Sequence, residues 1–134
     1  MKVNYAAIGI GFGVTLVLGV LSGFLYASSA SAGIFGSWGV VGALGGLAAG
    51  YVVGGSIKSG AIHGGLATVF GSLVVLVLAA ATTVLFGGLV LTLGIVGFGG
   101  LMLAIHAIPG MIGGAAGSWL KDRRTAPKVV GTKA

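Results

Sequence analysis

The feature that most constrains the fold of this sequence is a series of long apolar segments interrupted by few charges. Four segments can be delimited, at about 5–27, 37–57, 61–86 and 89–120. Each approaches or exceeds the roughly 20 residues with which a helix crosses a hydrocarbon core of about 30 Å. Charged residues form 6% of the chain, against about 25% in soluble globular proteins. The sequence therefore predicts an all-α, polytopic membrane protein of about four transmembrane helices, arranged as two hairpins.

The first apolar segment has the flanks of a secretory signal but exceeds the length of one. Lys2 precedes it, and residues 30–32 (Ala-Ser-Ala) have the form of a cleavage site. The apolar part of a signal peptide usually spans about 7–15 residues. Tyr5 and Tyr26 instead lie roughly 31 Å apart along a helix, which suits an aromatic ring at each membrane interface. We expect an uncleaved span.

The last apolar segment, 89–120, is too long for one upright crossing, since it measures about 48 Å as a helix. Pro109 lies inside it and is expected to kink the helix. Two arrangements remain open. Either the span occupies 89–108 and the rest lies along the inner interface, or it occupies about 99–120 with residues 88–98 tilted or re-entrant.

The positions of the basic residues predict the topology. With four spans all seven lie on one side of the membrane, so positive-inside bias places both termini of a multi-pass cell-membrane protein in the cytoplasm. Residues 1–120 then form one transmembrane domain and residues 121–134 a basic tail. In that tail we expect contacts with anionic lipid headgroups, worth about 1 kcal/mol per basic residue. The seven are Lys2, Lys58, Lys121, Arg123, Arg124, Lys128 and Lys133, and the expected lipid contacts are Lys121, Arg123, Arg124 and Lys128.

The residues that most enzymatic sites require are scarce. The chain has no cysteine, a single carboxylate side chain at Asp122, and two histidines. The chain therefore lacks the residues for thiolate chemistry, for catalysis by paired carboxylates and for a carboxylate-rich metal site. We therefore expect no enzymatic activity, catalytic residue, metal or cofactor. Because the topology accounts for the net charge of +6, no nucleic-acid partner is expected either.

The histidines are the remaining ionisable groups in or near the apolar segments. His63 follows Lys58 closely, near the inner interface, where an imidazole is commonplace. His106 lies deeper in one arrangement of the last span and is a possible intramembrane polar site. It is either structural or takes part in proton or ion handling. No strong partner for its ring is evident, so His106→Ala is expected to leave folding nearly unchanged. Membrane hydroxyls such as those of Thr15, Thr68, Ser72, Thr82 and Thr83 are expected to bond to their own helix or a neighbour.

Small residues recur at helical spacing among the 29 glycines of the chain. A step of four residues keeps a stripe on one side of a helix, and a glycine stripe lets another backbone approach closely in lipid. Each stripe either packs the helices of one chain together or forms a surface between chains. Gly50→Ala is expected to be mild and Gly50→Leu disruptive. The helix-packing residues that we predict are Gly42, Gly46, Gly50 and Gly54 in the second span and Gly110 and Gly114 in the last.

Several parts of the chain together resemble a known family. The opening MKVNY leads into a glycine-rich span, residues 48–65 read AAGYVVGGSIKSGAIHGG, and Ile108-Pro109-Gly110 comes late in the last span. These features are similar to those of an uncharacterised family of small, glycine-rich archaeal integral membrane proteins, classed as a domain of unknown function. The resemblance implies four helices and no established activity, and it supplies no catalytic residue.

The sequence leaves two functional classes open. The preferred hypothesis is a non-enzymatic membrane protein that self-associates, or that serves as a small structural subunit of a membrane assembly. It rests on small-residue stripes in every span and on the lack of catalytic groups. The alternative is a small pore, a transporter or a holin-like permeabiliser, which would need polar groups along a path through the membrane.

Overall fold

The structure is a computed structural model that describes the backbone of residues 3–26 and 32–125 and the side chains of these residues outside 23–37. The described residues form four α-helices and no strands, which agrees with the all-α prediction. In chain order the helices are α1, Tyr5–Tyr26; α2, Ala32–Val53; α3, Ile57–Phe86; and α4, Gly88–Thr125.

The described helices are those of a membrane protein. Three of them, α1, α3 and α4, are long and apolar enough to cross a membrane, and α2 contributes a shorter apolar stretch, Trp38–Val53. Large apolar side chains face outward along these helices, as at Val17, Leu85 and Val90. Lipid is the solvent that such a surface requires.

A tight turn of glycine and serine joins α2 to α3. The helix α2 stops at Val53 because Gly54 and Gly55 take positive φ angles of 59° and 81°, which residues with a Cβ rarely adopt. Ser56 then caps α3, its hydroxyl accepting a hydrogen bond from the Ser59 amide at 3.1 Å. Because this turn is short, α2 and α3 run antiparallel.

The turn between α3 and α4 is a pair of glycines, as the sequence suggested. Gly87 ends α3, with its amide donating to the carbonyl oxygen of Thr83 at 2.7 Å. Gly88 has a φ of 79° and starts α4. The reversal is completed within these two residues, so α3 and α4 form a hairpin.

The last helix corrects the re-entrant course considered for residues 88–98. It is one continuous helix of 38 residues that passes through Pro109. Residues 88–98 are part of it, and so is the segment after the proline. At 1.5 Å per residue α4 measures about 57 Å, so it must tilt or project beyond a 30 Å core.

The helices α2 and α3 form the centre of the bundle. Among the described residues α4 packs on α2 and α3, α1 packs on the same two helices, and α1 and α4 make no comparable contact. The apolar side chains that are fully buried are small, as at Ala7, Ala49 and Ala67. Small residues inside and large ones outside reverse the arrangement of a soluble protein and suit packing in lipid.

Candidate functional site

The close packing of α2 on α4 depends on two pairs of glycines. Gly46 lies against Gly110, and Gly50 lies against Gly114. In each pair a Cβ on the α2 glycine would coincide with the carbonyl oxygen of its α4 partner. Both pairs share the same offset in sequence, so α2 and α4 run parallel. Backbones this close allow weak contacts between Cα hydrogens and carbonyl oxygens.

The same two glycines of α4 also receive α3. Gly60 and Gly64 lie on Gly114 and Gly110, at distances that leave no room for a Cβ on either α3 residue. We call the six residues Gly46, Gly50, Gly60, Gly64, Gly110 and Gly114 the glycine seam. At the seam the backbones of three helices meet, with the small side chains of Thr68 and Ser118 beside Gly110 and Gly60.

Two further glycines of α4 extend this contact and were missed in the sequence. Gly113 meets the backbone of Ala43, and Gly117 meets the backbone of Leu47 and Tyr51. Their signal was present in the spacing, since Gly113 and Gly117 are also four residues apart. They lie beside the Gly110 and Gly114 stripe and widen it on the side of α2.

Gly42 and Gly54, the other two predicted packing residues, have different surroundings. A Cβ on Gly42 would lie 2.9 Å from Cδ2 of His106 and 3.1 Å from the Thr68 methyl, so this glycine accommodates a side chain rather than a backbone. Gly54 is beyond the end of α2, and its positive φ makes it a turn residue next to the Lys121 side chain.

His106 has two hydrogen-bond partners and a stacking partner. Its Nε2 lies 2.7 Å from the carbonyl oxygen of Trp38 and must therefore carry the hydrogen. Nδ1 is left as the acceptor for the Ser72 hydroxyl at 3.3 Å. The imidazole stacks on the Trp38 ring, with centroids 5.8 Å apart and planes at 17°. The expectation that this ring has no strong partner is wrong.

His63, which the sequence suggested to be a commonplace interfacial imidazole, is a buried polar residue. Its side chain has no exposed surface. Nδ1 donates to the carbonyl oxygen of Ser59 at 2.8 Å, and Nε2 accepts the backbone N–H of Asn4 at 2.9 Å. Asn4 in turn caps α1, its Oδ1 accepting the Ala7 amide at 3.1 Å. A neutral imidazole therefore links the first turn of α1 to α3.

The hydroxyls follow the expectation from sequence, which is confirmed. Thr15 donates to the Gly11 carbonyl at 2.9 Å. Thr68 donates to the Gly64 carbonyl of its own helix and also approaches the Gly42 carbonyl of α2. Ser72 bonds across to α4, while Thr82 and Thr83 bond to carbonyls of α3. These groups are satisfied in place, and none is arranged as a nucleophile with a base and an orienting carboxylate.

A cavity of about 240 Å³ opens where the glycine seam ends. It lies one helical turn beyond Gly46 and Gly110, and side chains from all four helices contribute to its wall. Its polar members are Thr15, Ser72 and His106, and the rest of the wall is apolar. The full lining is Thr15, Gly19, Trp38, Val41, Ser72, Val75, Leu76, Ala79, Ile95, Phe98, Gly99, Met102, Leu103 and His106.

The basic residues after the apolar part of α4 are partly engaged within the chain. Lys121 donates from Nζ to the Val52 carbonyl at 2.6 Å, and the Arg123 guanidinium lies 4.0 Å from the centroid of the Trp119 ring. Arg124 is exposed. Lys128 falls outside the described residues. Of the expected lipid contacts, Lys121 is therefore held at the end of α2, where it satisfies a carbonyl that the helix leaves free.

The described residues include no cluster of three or more histidine, cysteine or acidic side chains that could hold a metal ion. Each histidine ring instead has both nitrogens in hydrogen bonds to protein groups. What the arrangement offers chemically is a largely apolar cavity with two hydroxyls and one imidazole in its wall.

Comparison with known proteins identifies one family. Its sequence profile matches residues 5–120, nearly the whole of the four-helix region. The family is described as a family of unknown function, DUF5518. No curated protein and no solved structure matches the chain.

Proposed function

The chain belongs to this family of unknown function, DUF5518, and we propose that it is a non-enzymatic membrane protein that self-associates through the outer face of α1. The proposal follows from which glycine stripes the fold uses internally. The glycine seam holds α2, α3 and α4 of one chain together, so its stripes are not available to another chain. The stripe on α1 is free.

The observation that supports the proposal is the opposite environment of alternate glycines in α1. Gly11 faces inward, where a Cβ would lie 2.6 Å from the Cβ of Ala49 and 2.7 Å from the Gly45 carbonyl. Gly9 and Gly13 lie about 200° away around the helix, and a Cβ added at either would have no neighbouring atom within 4 Å. They are four residues apart and form a small-xxx-small pair open to lipid.

Bulky apolar residues flank this pair. Val17 and Val20 are 58% and 46% exposed, and Ile10 is 48% exposed. A glycine groove with β-branched ridges is the surface that a second helix packs on in lipid, where close van der Waals contact replaces the hydrophobic effect. Other open glycines on α4, at Gly94, Gly97 and Gly100, are three residues apart and turn around the helix by about 60° at each step. They form no comparable groove.

The proposed setting is a cell membrane crossed four times, with both termini in the cytoplasm. Asn4, Lys58 and the end of α4 lie at one end of the bundle, because Asn4 contacts α3 near its start and Lys121 contacts the end of α2. Positive-inside bias assigns that end to the cytoplasm. There Arg123 and Arg124 can meet anionic lipid headgroups beside the protein.

The alternative of a small pore or transporter has less support. A path from the cavity to the cytoplasmic end would have to pass the glycine seam, where the backbones of α2, α3 and α4 are in contact. The small side chains beside the seam, those of Thr68 and Ser118, are hydrogen-bonded to carbonyls of their own helices, so a pore through the described bundle would need the helices themselves to separate.

Leucine substitutions on the two faces of the bundle test the proposal. Gly9→Leu with Gly13→Leu should abolish or strongly reduce association and leave the helical fold intact, because both side chains point away from the other helices of the same chain. Gly50→Leu is the matched variant on the inner face and should disrupt the fold. The measurement is oligomeric state by light scattering in mild detergent and by crosslinking in native lipid, with helix content and thermal stability recorded alongside.

Each other result has a definite meaning. A parent protein that is monomeric in native lipid would exclude self-association. A parent oligomer that survives both α1 substitutions would exclude the outer face of α1 as the contact. Ion flux through vesicles at a chain density where the parent is monomeric would favour the pore.

A further inference from the structure

We propose that the cavity beside His106 is a binding site for a neutral, membrane-soluble alcohol, with an apolar chain or ring in the cavity and its hydroxyl between Ser72 and His106. This inference concerns a different face of α1 from the one proposed for association and does not depend on it. It rests on three properties of the cavity: the charge of its wall, the hydrogen bond in its wall, and its size.

The wall selects for a neutral, largely apolar molecule. None of the 14 lining residues is lysine, arginine, aspartate or glutamate. A phosphate or carboxylate would enter this cavity without a cation to pair with, at a large cost in desolvation. Leu76, Phe98 and Met102 are typical of the apolar surface that accepts a hydrocarbon group.

The polar part of the wall suits a hydroxyl. The Ser72 hydroxyl reaches Nδ1 of His106 at 3.3 Å, which is long for a hydrogen bond from an O–H donor. A ligand hydroxyl that lies on the cavity side of these two groups, within hydrogen-bond distance of both, would donate to Nδ1 and accept from Ser72, replacing one weak bond by two. The orientation of the His106 ring is fixed with Nδ1 toward Ser72, because Nε2 is hydrogen-bonded to the Trp38 carbonyl at 2.7 Å and the ring is stacked on the Trp38 indole.

The cavity is large enough and can be reached from the lipid. Its volume of about 240 Å³ exceeds the roughly 150 Å³ of an engineered apolar cavity that binds benzene. Phe98 and Trp38 in its wall are 52% and 36% exposed, so the cavity is not sealed from the surface of the bundle. A molecule dissolved in the bilayer can enter without crossing water.

Quenching of tryptophan fluorescence by 2-bromo-1-undecanol, whose bromine is next to its hydroxyl and therefore near Trp38 when the hydroxyl is at His106, tests the site in the full-length protein in detergent. The chain has two tryptophans. Trp38 lines the cavity, and Trp119 lies near the other end of α4 with a similar exposure of 42%. A Trp119→Phe protein reports on the cavity, and a Trp38→Phe protein reports collisions from the detergent phase. We expect saturable quenching of Trp38, half-complete at a probe concentration about ten-fold lower than for Trp119.

Two substitutions in the Trp119→Phe protein then separate filling of the cavity from recognition of the hydroxyl. Ala79→Phe should fill the cavity and remove the saturable phase, while Ala81→Phe, on the exposed side of the same helix, should leave it unchanged. Ser72→Ala should raise the half-saturating concentration of the alcohol about two- to ten-fold, the effect of one hydrogen bond. It should not alter quenching by 1-bromoundecane.

Equal, non-saturable quenching of Trp38 and Trp119 would overturn the proposal, and so would saturable quenching that persists in Ala79→Phe with native helix content. Equal affinity for the alcohol and the alkane would overturn the assignment of the hydroxyl to Ser72 and His106. If Ala79→Phe fails to fold, the Ser72→Ala comparison of alcohol with alkane decides the question, because that change removes only one oxygen atom.

Discussion

At the scale of single residues, the glycines of this chain serve three distinct purposes. Those of the glycine seam allow backbone contact, Gly54, Gly55 and Gly88 allow turns with positive φ, and Gly9 and Gly13 face open space. Sequence spacing does not separate these classes, since a stripe of four-residue steps looks the same whether it faces a helix or lipid. The neighbours of the absent Cβ decide what each glycine contributes.

Gly50→Ala is predicted to destabilise the protein by about 1–3 kcal/mol, a typical cost of overpacking a filled interior. The new methyl group would coincide with the Gly114 carbonyl oxygen, and a backbone carbonyl cannot rotate aside. This revises the mild effect that the sequence suggested. Gly13→Ala is the matched control, with open space around it and a gain of up to about 1 kcal/mol from helix propensity. Chemical unfolding in mixed micelles measures both, and equal stabilities would contradict the placement of Gly50.

His63 is the residue whose structural role is most specific. Substitution by alanine leaves the Asn4 amide and the Ser59 carbonyl without the ring, and we predict a loss of about 1–3 kcal/mol in unfolding free energy. Faster hydrogen exchange of the Asn4 amide should accompany it. His63→Gln should recover part of the loss, because its side-chain oxygen can accept from Asn4. Unchanged exchange at Asn4 in the alanine variant would rule out the link.

At the scale of helices, the C-terminal end of α4 forms two hydrogen bonds with the end of α2 and the segment that joins α2 to α3. Lys121 donates to the Val52 carbonyl, and the Asp122 carboxylate accepts the Gly55 amide at 3.0 Å. These consecutive residues satisfy two backbone groups that the end of α2 leaves free. The single acidic side chain of the protein is therefore a turn-binding group, and the basic residue beside it stabilises a helix end.

Lys121→Met is predicted to destabilise the protein by about 1 kcal/mol, because it keeps the aliphatic stem and loses the charged hydrogen bond to Val52. Arg124→Met, at an exposed position of the same turn, removes the same charge and should have no measurable effect on stability. Thermal unfolding in detergent compares the two. If both variants are destabilised by the same amount, the loss of a positive charge causes the destabilisation, and the contact of Lys121 with α2 does not.

The helices also differ in length in a way that exposes one end of the bundle. At 1.5 Å per residue α1 and α2 measure about 33 Å each, while α3 and α4 measure about 45 and 57 Å. The side chains around the turn between the longer helices are the most exposed of the large apolar side chains that the structure describes, with Phe86 at 86% and Val90 at 87%. That end of α3 and α4 is not covered by the other described helices of the chain.

At the scale of the whole molecule, single cysteines test the topology, because the native chain contains none. Ser29→Cys and Ser59→Cys should react with a membrane-impermeant reagent from opposite sides of a sealed vesicle. Lys133→Cys should react from the same side as Ser59. The physical reason is the proposed topology, in which four crossings would place every lysine and arginine on the cytoplasmic side. Labelling of Ser29 and Ser59 from one side would exclude four spans.

The interior of this bundle contains contacts between backbones rather than large buried side chains. Ala7, Ala49 and Ala67 are fully buried, while most leucines and valines face outward. In lipid a leucine loses little by staying exposed, so helices associate by packing closely and through weak Cα–H···O contacts. The bundle should therefore respond strongly to added volume inside and weakly to changes of apolar residue outside.

The sequence by itself determined the class of protein and the helices, because hydropathy and the need to satisfy backbone groups in lipid leave few alternatives. Runs without charge predicted the helices, and the glycine pair 87–88 predicted the last turn. Tertiary structure alone decided that Gly46 and Gly50 face Gly110 and Gly114, that α4 continues through Pro109, and which partners hold His63 and His106. These facts depend on the rotation and register of one helix against another. In a chain where every helix face is apolar, hydrophobicity does not distinguish the faces, and only the fit between neighbouring surfaces selects among them.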